Sequence, residues 1–543
     1  MSPRVQESKS LRVGVVCLAL LVTNSLTLGL LDSQTLPASR LWRAEERSLI
    51  TDLSVVTAVA ATRTIVYAAT AGGLAIYDRG VRGWRETISR LDGYPGSPIT
   101  AMAADPNDDT AWLGGQALWL RYDPFVRRFD GGSLPGFVDQ VVLDAADPSR
   151  GAYFHTSAGW YVVTRGSLVA MPAQDLPPAN RRLGSMTMTQ LQARIPAFDA
   201  IRMRLVRDEL LRSYRLTSAA TAPLTNEVYI GTDGNGAFRV DPLSYGTERL
   251  PAGIVGAATS AVAAWRGQIC AASDGRVPSL RYGLTCFDED AGSYSYVESA
   301  GLVPLNGVTV RAVLVTERAI WAATDEGLVR ASRRGGRVMQ IASRNGLPGD
   351  RALALAPAPE GAWVGTTGGL ALVTDTGRTL VVTAQAEGPP VLALAAPGAD
   401  TLWAGTAAGV IAFALPLGGP VLLPEGPLPM RDPIVAIALR GDTIVAATAT
   451  RFIVRMGGAW SVVEPPGEPI GAIGRIVADE RAGFWVSGTN GFAHFEPSRP
   501  TWSALVSPGD VPLPVRDIAA TRNYVWVATD VGVVRYERRV LLR

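Results

Sequence analysis

The chain has 543 residues, 47% hydrophobic and 18% charged, with 57 Gly and 37 Pro, a turn-rich globular composition and not a disordered one. Fifty-one basic residues face 49 acidic ones, a net charge of +2, which excludes the basic field that holds nucleic acid and the acidic field that gathers cations. Two His, three Cys and no Cys-x-x-Cys offer no metal-ligand grouping, so neither a metal nor a cofactor is expected.

Arg4, Lys9 and Arg12 precede Val13 to Leu31, nineteen residues without a charge. A basic flank before an apolar run is the pattern of a secretory signal or signal-anchor. Residues 1–31 are read as one of these, and the chain as periplasmic or secreted, meeting a membrane only through this segment. Residues 32–55 are read as a linker with a closing strand, because Leu41-Trp-Arg-Ala-Glu-Glu-Arg-Ser48 resembles the strand beginning Trp84-Arg-Glu-Thr-Ile88. Cys17 lies in the apolar run; Cys270 and Cys286 are sixteen apart. In an oxidising compartment the latter two favour a disulfide, the alternative being two buried thiols.

An internal repeat begins near residue 56. Tyr67-Ala-Ala-Thr-Ala-Gly-Gly73-Leu74, Trp321-Ala-Ala-Thr-Asp-Glu-Gly327-Leu328, Trp363-Val-Gly-Thr-Thr-Gly-Gly369-Leu370, Trp403-Ala-Gly-Thr-Ala-Ala-Gly409-Val410 and Trp526-Val-Ala-Thr-Asp-Val-Gly532-Val533 share one plan. Trp485 heads a similar copy, and weaker ones start at Trp112, Tyr153, Tyr229, Ile269 and Val445. From Trp321 the starts are 42, 40, 42, 40 and 41 residues apart. Each unit begins with a small-residue alternating stretch such as Val391-Leu-Ala-Leu-Ala395. The aromatic strand, a Gly hairpin and two further strands follow. Four strands at this period predict a β-propeller blade. The chain is therefore expected to be all-β, with about eleven blades divided between two rings and not set in one wide ring.

Gly346-Leu-Pro-Gly-Asp-Arg-Ala-Leu-Ala-Leu followed by Gly361-Ala-Trp-Val-Gly-Thr-Thr-Gly-Gly-Leu resembles the two-component regulator propeller repeat. The stretch from Gly93-Tyr-Pro-Gly to Leu120-Arg-Tyr-Asp-Pro124 is similar. The resemblance covers roughly residues 55 to 543. It implies a propeller fold and a sensor-like ligand-binding role. Sensors of that family carry kinase or regulator domains beyond their propellers, and this chain is expected to match their sensing half alone.

Two intervals break the rhythm, 76 residues from Tyr153 to Tyr229 and 52 from Ile269 to Trp321. In the first, Leu191, Ile195, Phe198, Ile201, Leu205 and Leu210 fall near helical spacing, which predicts an amphipathic helical insertion. The expected layout is blades 1–3 over 56–173, the insertion over 174–215 and blades 4–11 over 216–543.

Candidates for chemistry are few. His155 stands in an aromatic strand and His494 in a third strand; either could act as a general base, and His155 is the weak catalytic candidate. The aromatic series is expected to pack between blades. Second-to-third hairpins and blade-to-blade connections emerge on one face, so Asp233, Asp274, Asp325, Glu326 and Asp530 are expected to form an acidic loop collar, the kind of place where binding concentrates. The expected function is extracytoplasmic binding, sensing or scaffolding directed at a protein or carbohydrate. The alternative is a propeller lyase or hydrolase using His155.

Overall fold

Runs that alternate Ala, Val and Leu between Gly- and Pro-rich turns are strand sequences. In the computed structural model they form antiparallel sheets in which each strand pairs with the next, four to a sheet in most. The structure describes residues 42–543 apart from 44–45, 86, 299–304, 306, 334–337, 382–388, 397–399, 416–419 and 422–430. The apolar run of residues 13–31 and Cys17 lie outside the described residues.

Seven innermost strands close on themselves. Thr259–Trp265, Val310–Val315, Ala352–Ala358, Val391–Ala395, Ala436–Arg440, Ile473–Ala478 and Val515–Ala520 each pack on the next, and the last packs back on the first. Before them in the chain, Leu216–Thr221 packs on Val56–Ala61, which packs on Ile99–Ala104. That strand packs in turn on Arg128–Asp144, which serves two sheets, pairing first with Ala111–Asp123 and then with Gly151–Thr156. The fold is an all-β propeller. Sheets are named below by the first residue of the innermost strand.

The repeat motif has a local cause in the hairpin between second and third strands. Thr324, Thr366, Thr406 and Thr529 each donate a side-chain hydrogen bond to the carbonyl of the Gly three residues on. That Gly is needed where the outer strand passes: Gly532 has φ +133°, and a Cβ there would press on the carbonyl of Ile50. Ile50 belongs to Arg47–Ile50, an N-terminal strand that pairs with Gly532–Glu537 and completes the last sheet. Leu49 is buried in that sheet's core. Trp42 donates to Asp510 at 2.8 Å and meets the Tyr536 ring edge-on.

The aromatic series is buried between sheets. Trp526 lies among Val262, Ile269 and Ala271 of the Thr259 sheet and Ile254 just before it. Its indole donates to Glu289 at 2.9 Å. His494 is a core residue, with Nε2 2.8 Å from the Ala482 carbonyl and its ring against Trp485. Cys270 and Cys286 form a disulfide between directly paired residues of neighbouring strands.

The insertion consists of two short helices, Met188–Arg194 and Phe198–Val206. Pro196 between them cannot donate to a continuing helix. Leu191, Ile195, Phe198, Ile201 and Leu205 are buried against Ile230, Phe238 and Val240 of the Leu216 sheet. Arg182–Gly184 pairs with Arg128–Asp144, so the insertion begins beside the innermost strands.

Polar side chains mark two junctions between sheets. Asp517 accepts from the Val262 backbone N–H at 2.9 Å, joining the last sheet of the seven to the first. Ser218 accepts from the Val59 N–H at 3.1 Å, joining the Leu216 and Val56 sheets. At the matching place stand Ala58, Ala101, Ala261, Ala312, Ala354 and Ala393 in six other sheets and Arg475, 3.5 Å from Asp517, in the Ile473 sheet. Burial pushes the Asp517 carboxyl up, against the opposing influence of Arg475 and two backbone N–H groups. A raised carboxyl binds its proton more tightly in the folded chain than in the unfolded one. Its contribution therefore falls as pH rises from the ordinary carboxylate range through the folded value. Across that window the stability of the wild type relative to Asp517→Asn is expected to decline, as read from denaturant midpoints between pH 4 and 8. A pH-independent difference would contradict this.

Candidate functional site

The loop collar is largely tied to arginines. Asp233 accepts from Arg215 Nε at 3.0 Å, and Arg516 forks onto Asp530 at 2.8 and 3.0 Å. Asp325 takes Arg311 at 2.6 Å and also Arg276. Asp274 accepts from the Arg276 backbone N–H at 3.1 Å. Glu326 is exposed. Part of this face is also consumed by internal contacts. Asp233 bridges to Val55, the Gly236 N–H donates to the Ser54 carbonyl, and Asn235 is buried. Asp233, Asp325 and Asp530 neutralise neighbouring guanidinium groups, an arrangement legible only once Arg215, Arg311 and Arg516 are placed one strand earlier in their sheets.

His155 sits on Gly151–Thr156 with Nδ1 2.6 Å from Asp139 Oδ1 and its ring tilted against Trp160. Both side chains are substantially exposed. Asp139 occupies a distinctive place. Thr57, Thr100 and Thr217 stand at the same point of their innermost strands, and each donates across to a carbonyl of the adjacent sheet, Ile99, Val138 and Val56 respectively. A carboxylate cannot donate, and Asp139 engages His155 instead. The pair opens onto a cavity of about 440 Å³ shared with Gln140, Ser185 and Ser218. With Nδ1 held by the carboxylate, Nε2 is the nitrogen left to take a proton. The nearby hydroxyls are engaged elsewhere: Ser185 donates to Met102, Thr100 to Val138 and Thr217 to Val56, while Ser218 accepts from Val59. The site holds an oriented base, and no hydroxyl among those four is placed beside it as a nucleophile. Asp139 escaped the sequence reading; its signal is the Thr that stands at its place in three sister units.

A third feature was also missed. The third-to-fourth-strand hairpins of four successive sheets carry exposed apolar residues: Val81 (81%), Phe125 (94%), Leu168 (63%) and Leu243 (85%). Strand alternation brings these four turns to the end opposite the acidic collar. Leu224, on the first-to-second hairpin of the Leu216 sheet, lies at the same end and is also exposed. Two ion pairs lie near the tips, Asp78 with Arg85 and Asp108 with Arg165. Residue-by-residue reading passes over such tips, since a single exposed Leu is ordinary; their recurrence on successive sheets is what distinguishes them.

No family model matches the chain, and no curated protein does. Solved structures similar to it include PorZ, a bacterial surface component of the type-IX secretion system of Porphyromonas gingivalis, at 10% identity and TM-score 0.49, covering 91% of this chain and 87% of that one. The extracellular domain of a putative hybrid two-component system from B. thetaiotaomicron is similar at 13% identity and TM-score 0.40, covering 89% and 68%. Virginiamycin B lyase from Staphylococcus aureus is similar at 12% identity and TM-score 0.42, covering 51% and 94%.

Proposed function

We propose that this chain is a non-enzymatic binding or scaffolding module that works outside the cytoplasm and holds a protein partner through the apolar hairpin face. The observation that carries this reading is the set of exposed tips Val81, Phe125, Leu168 and Leu243 on consecutive rigid sheets. Apolar residues exposed repeatedly at one end of successive sheets cost solubility, and their ordinary use is a partner. The tips are mostly aliphatic, which suits protein sockets better than sugar faces, where aromatic planes serve. The disulfide between Cys270 and Cys286 supports an oxidising compartment.

The test is a crosslinking pull-down from intact cells with the full-length tagged chain. The fourfold variant Val81→Ser, Phe125→Ser, Leu168→Ser, Leu243→Ser is expected to lose the partner while keeping its melting temperature, because substitutions at such exposed sites cost within about 0.5 kcal/mol each. Undiminished recovery by the variant, or binding to lipid vesicles that the variant loses, overturns the reading. A second reading, a lyase or hydrolase, is favoured by the His155–Asp139 pair. It requires that His155→Ala abolish turnover of a defined substrate, whereas the binding reading expects the same variant to retain the partner.

A further inference from the structure

A cavity of about 470 Å³ lies where the Leu216 and Thr259 sheets meet the end of the second helix. Its polar lining includes Arg204, Arg207, Arg212 and Arg249, with Asp208, Glu209 and Glu298. The two inner carboxylates are saturated. Asp208 accepts from Arg212 Nε at 2.6 Å, from Tyr214 at 2.8 Å and from two backbone N–H groups. Glu298 accepts from Arg281 at 3.0 Å and also from Arg212. The arginine hydrogen bonds hold the Glu298 carboxyl below its usual range in spite of burial.

Arg249 has no such partner. It donates through Nε to the Asn235 carbonyl at 3.1 Å and forms no ion pair with a carboxylate among the described residues. Its guanidinium lies 5.8 Å from the centre of the Tyr296 ring, and that of Arg281 lies 5.3 Å from the same ring. Two cations thus approach one aromatic ring, and of the two only Arg281 is ion-paired with Glu298. Burial, reinforced by the charge of Arg281, lowers the Arg249 pKa. A partly buried, charged fork that faces a cavity and whose nearest carboxylate, Glu298, is already committed to Arg212 and Arg281 is poised for a planar or tetrahedral oxyanion.

We propose that this cavity binds an oxyanion (a carboxylate, sulfate or phosphate group of a ligand), with Arg249 supplying the primary fork and Arg204 and Arg207 closing over it from the helix end. Arg212 and Arg281 are the frame: each is committed to Glu298 and holds the wall in place. Arg249, Arg204 and Arg207 are not among the four hairpin tips, so either proposal can fail without the other.

Calorimetric titration of the full chain with sodium sulfate, sodium phosphate and sodium acetate, each against sodium chloride at matched ionic strength, tests this. At least one oxyanion is expected to bind saturably at one site while chloride does not, and the order among the three identifies the group. Arg249→Gln is expected to weaken that binding about tenfold or more, the loss of a charge-assisted fork. The exposed pair Arg204→Gln, Arg207→Gln, which removes only a long 3.5 Å bond from Arg207 to the Leu211 carbonyl, is expected to weaken it severalfold. The fourfold hairpin variant is expected to bind as the wild type does. Absence of saturable binding by the wild type overturns the proposal. So does equal affinity in the wild type and the Arg204/Arg207 variant.

Discussion

A chain that begins at Thr51 is expected to lose the cooperative unfolding of the seven-sheet ring and to aggregate, whereas one that begins at Leu41 is not. The strand Arg47–Ile50 is the outermost member of the sheet whose other strands end the chain. Its removal bares the backbone groups of Gly532–Glu537 and opens the core around Leu49 and Tyr536. Truncation of one buried Leu costs about 2–5 kcal/mol. The lost strand pairing and the Trp42–Asp510 bond add to that, and a typical domain is held by only about 5–15 kcal/mol. Bared edges are also templates for intermolecular pairing. Calorimetric melting and size-exclusion chromatography of the two chains read the effect. Added peptide 41–50 is expected to restore part of the transition, and equal melting temperatures for the two chains would contradict the role of the strand.

The second large effect is at Trp526, whose replacement by Ala is expected to cost about 3–5 kcal/mol, the range for large aromatic truncation in a core. Its ring is almost wholly buried at the junction of the Val515 and Thr259 sheets, against Phe287 and Tyr524. The indole also satisfies Glu289, which accepts from Thr521 as well. Trp526→Phe is expected to keep most of the packing and lose the hydrogen bond, costing about 1–3 kcal/mol for the unsatisfied acceptor. Denaturant midpoints for both variants measure the difference. Equal losses would mean that what both variants lack, the N–H bond with the part of the bicyclic ring that Phe cannot replace, and not the packing that Phe retains, sets the energy.

Much of the fold could be read from the repeats because every unit solves the same local problem. The aromatic residue fills the space between sheets, Thr ties the hairpin, and Gly lets the outer strand pass, so the residues recur at one spacing. The all-β propeller class and the cysteine pairing followed from that regularity and from composition. The helical insertion was legible in its apolar spacing, but its division by Pro196 into two helices was not weighed. What stayed hidden depends on neighbours distant in sequence. Asp325 looked like a free loop acid until Arg276 and Arg311 were set beside it. His155 drew attention by being rare, yet its partner Asp139 is defined by replacing a Thr sixteen residues earlier. The tips Val81, Phe125, Leu168 and Leu243 look like noise until strand alternation brings them to one end. Arg249 is informative only because the carboxylates around it are taken.

The proposed function turns on which end of the propeller meets its partner. Hydrogen exchange on the full chain, alone and in complex with the captured partner, measures this residue by residue. Slowed exchange is expected in the hairpins around residues 78–83, 123–128, 164–171 and 240–247, with the loops bearing Asp274, Asp325 and Asp530 unchanged. Slowing confined to those acidic loops, or to the strands that carry His155 and Asp139, would contradict the hairpin face as the binding surface.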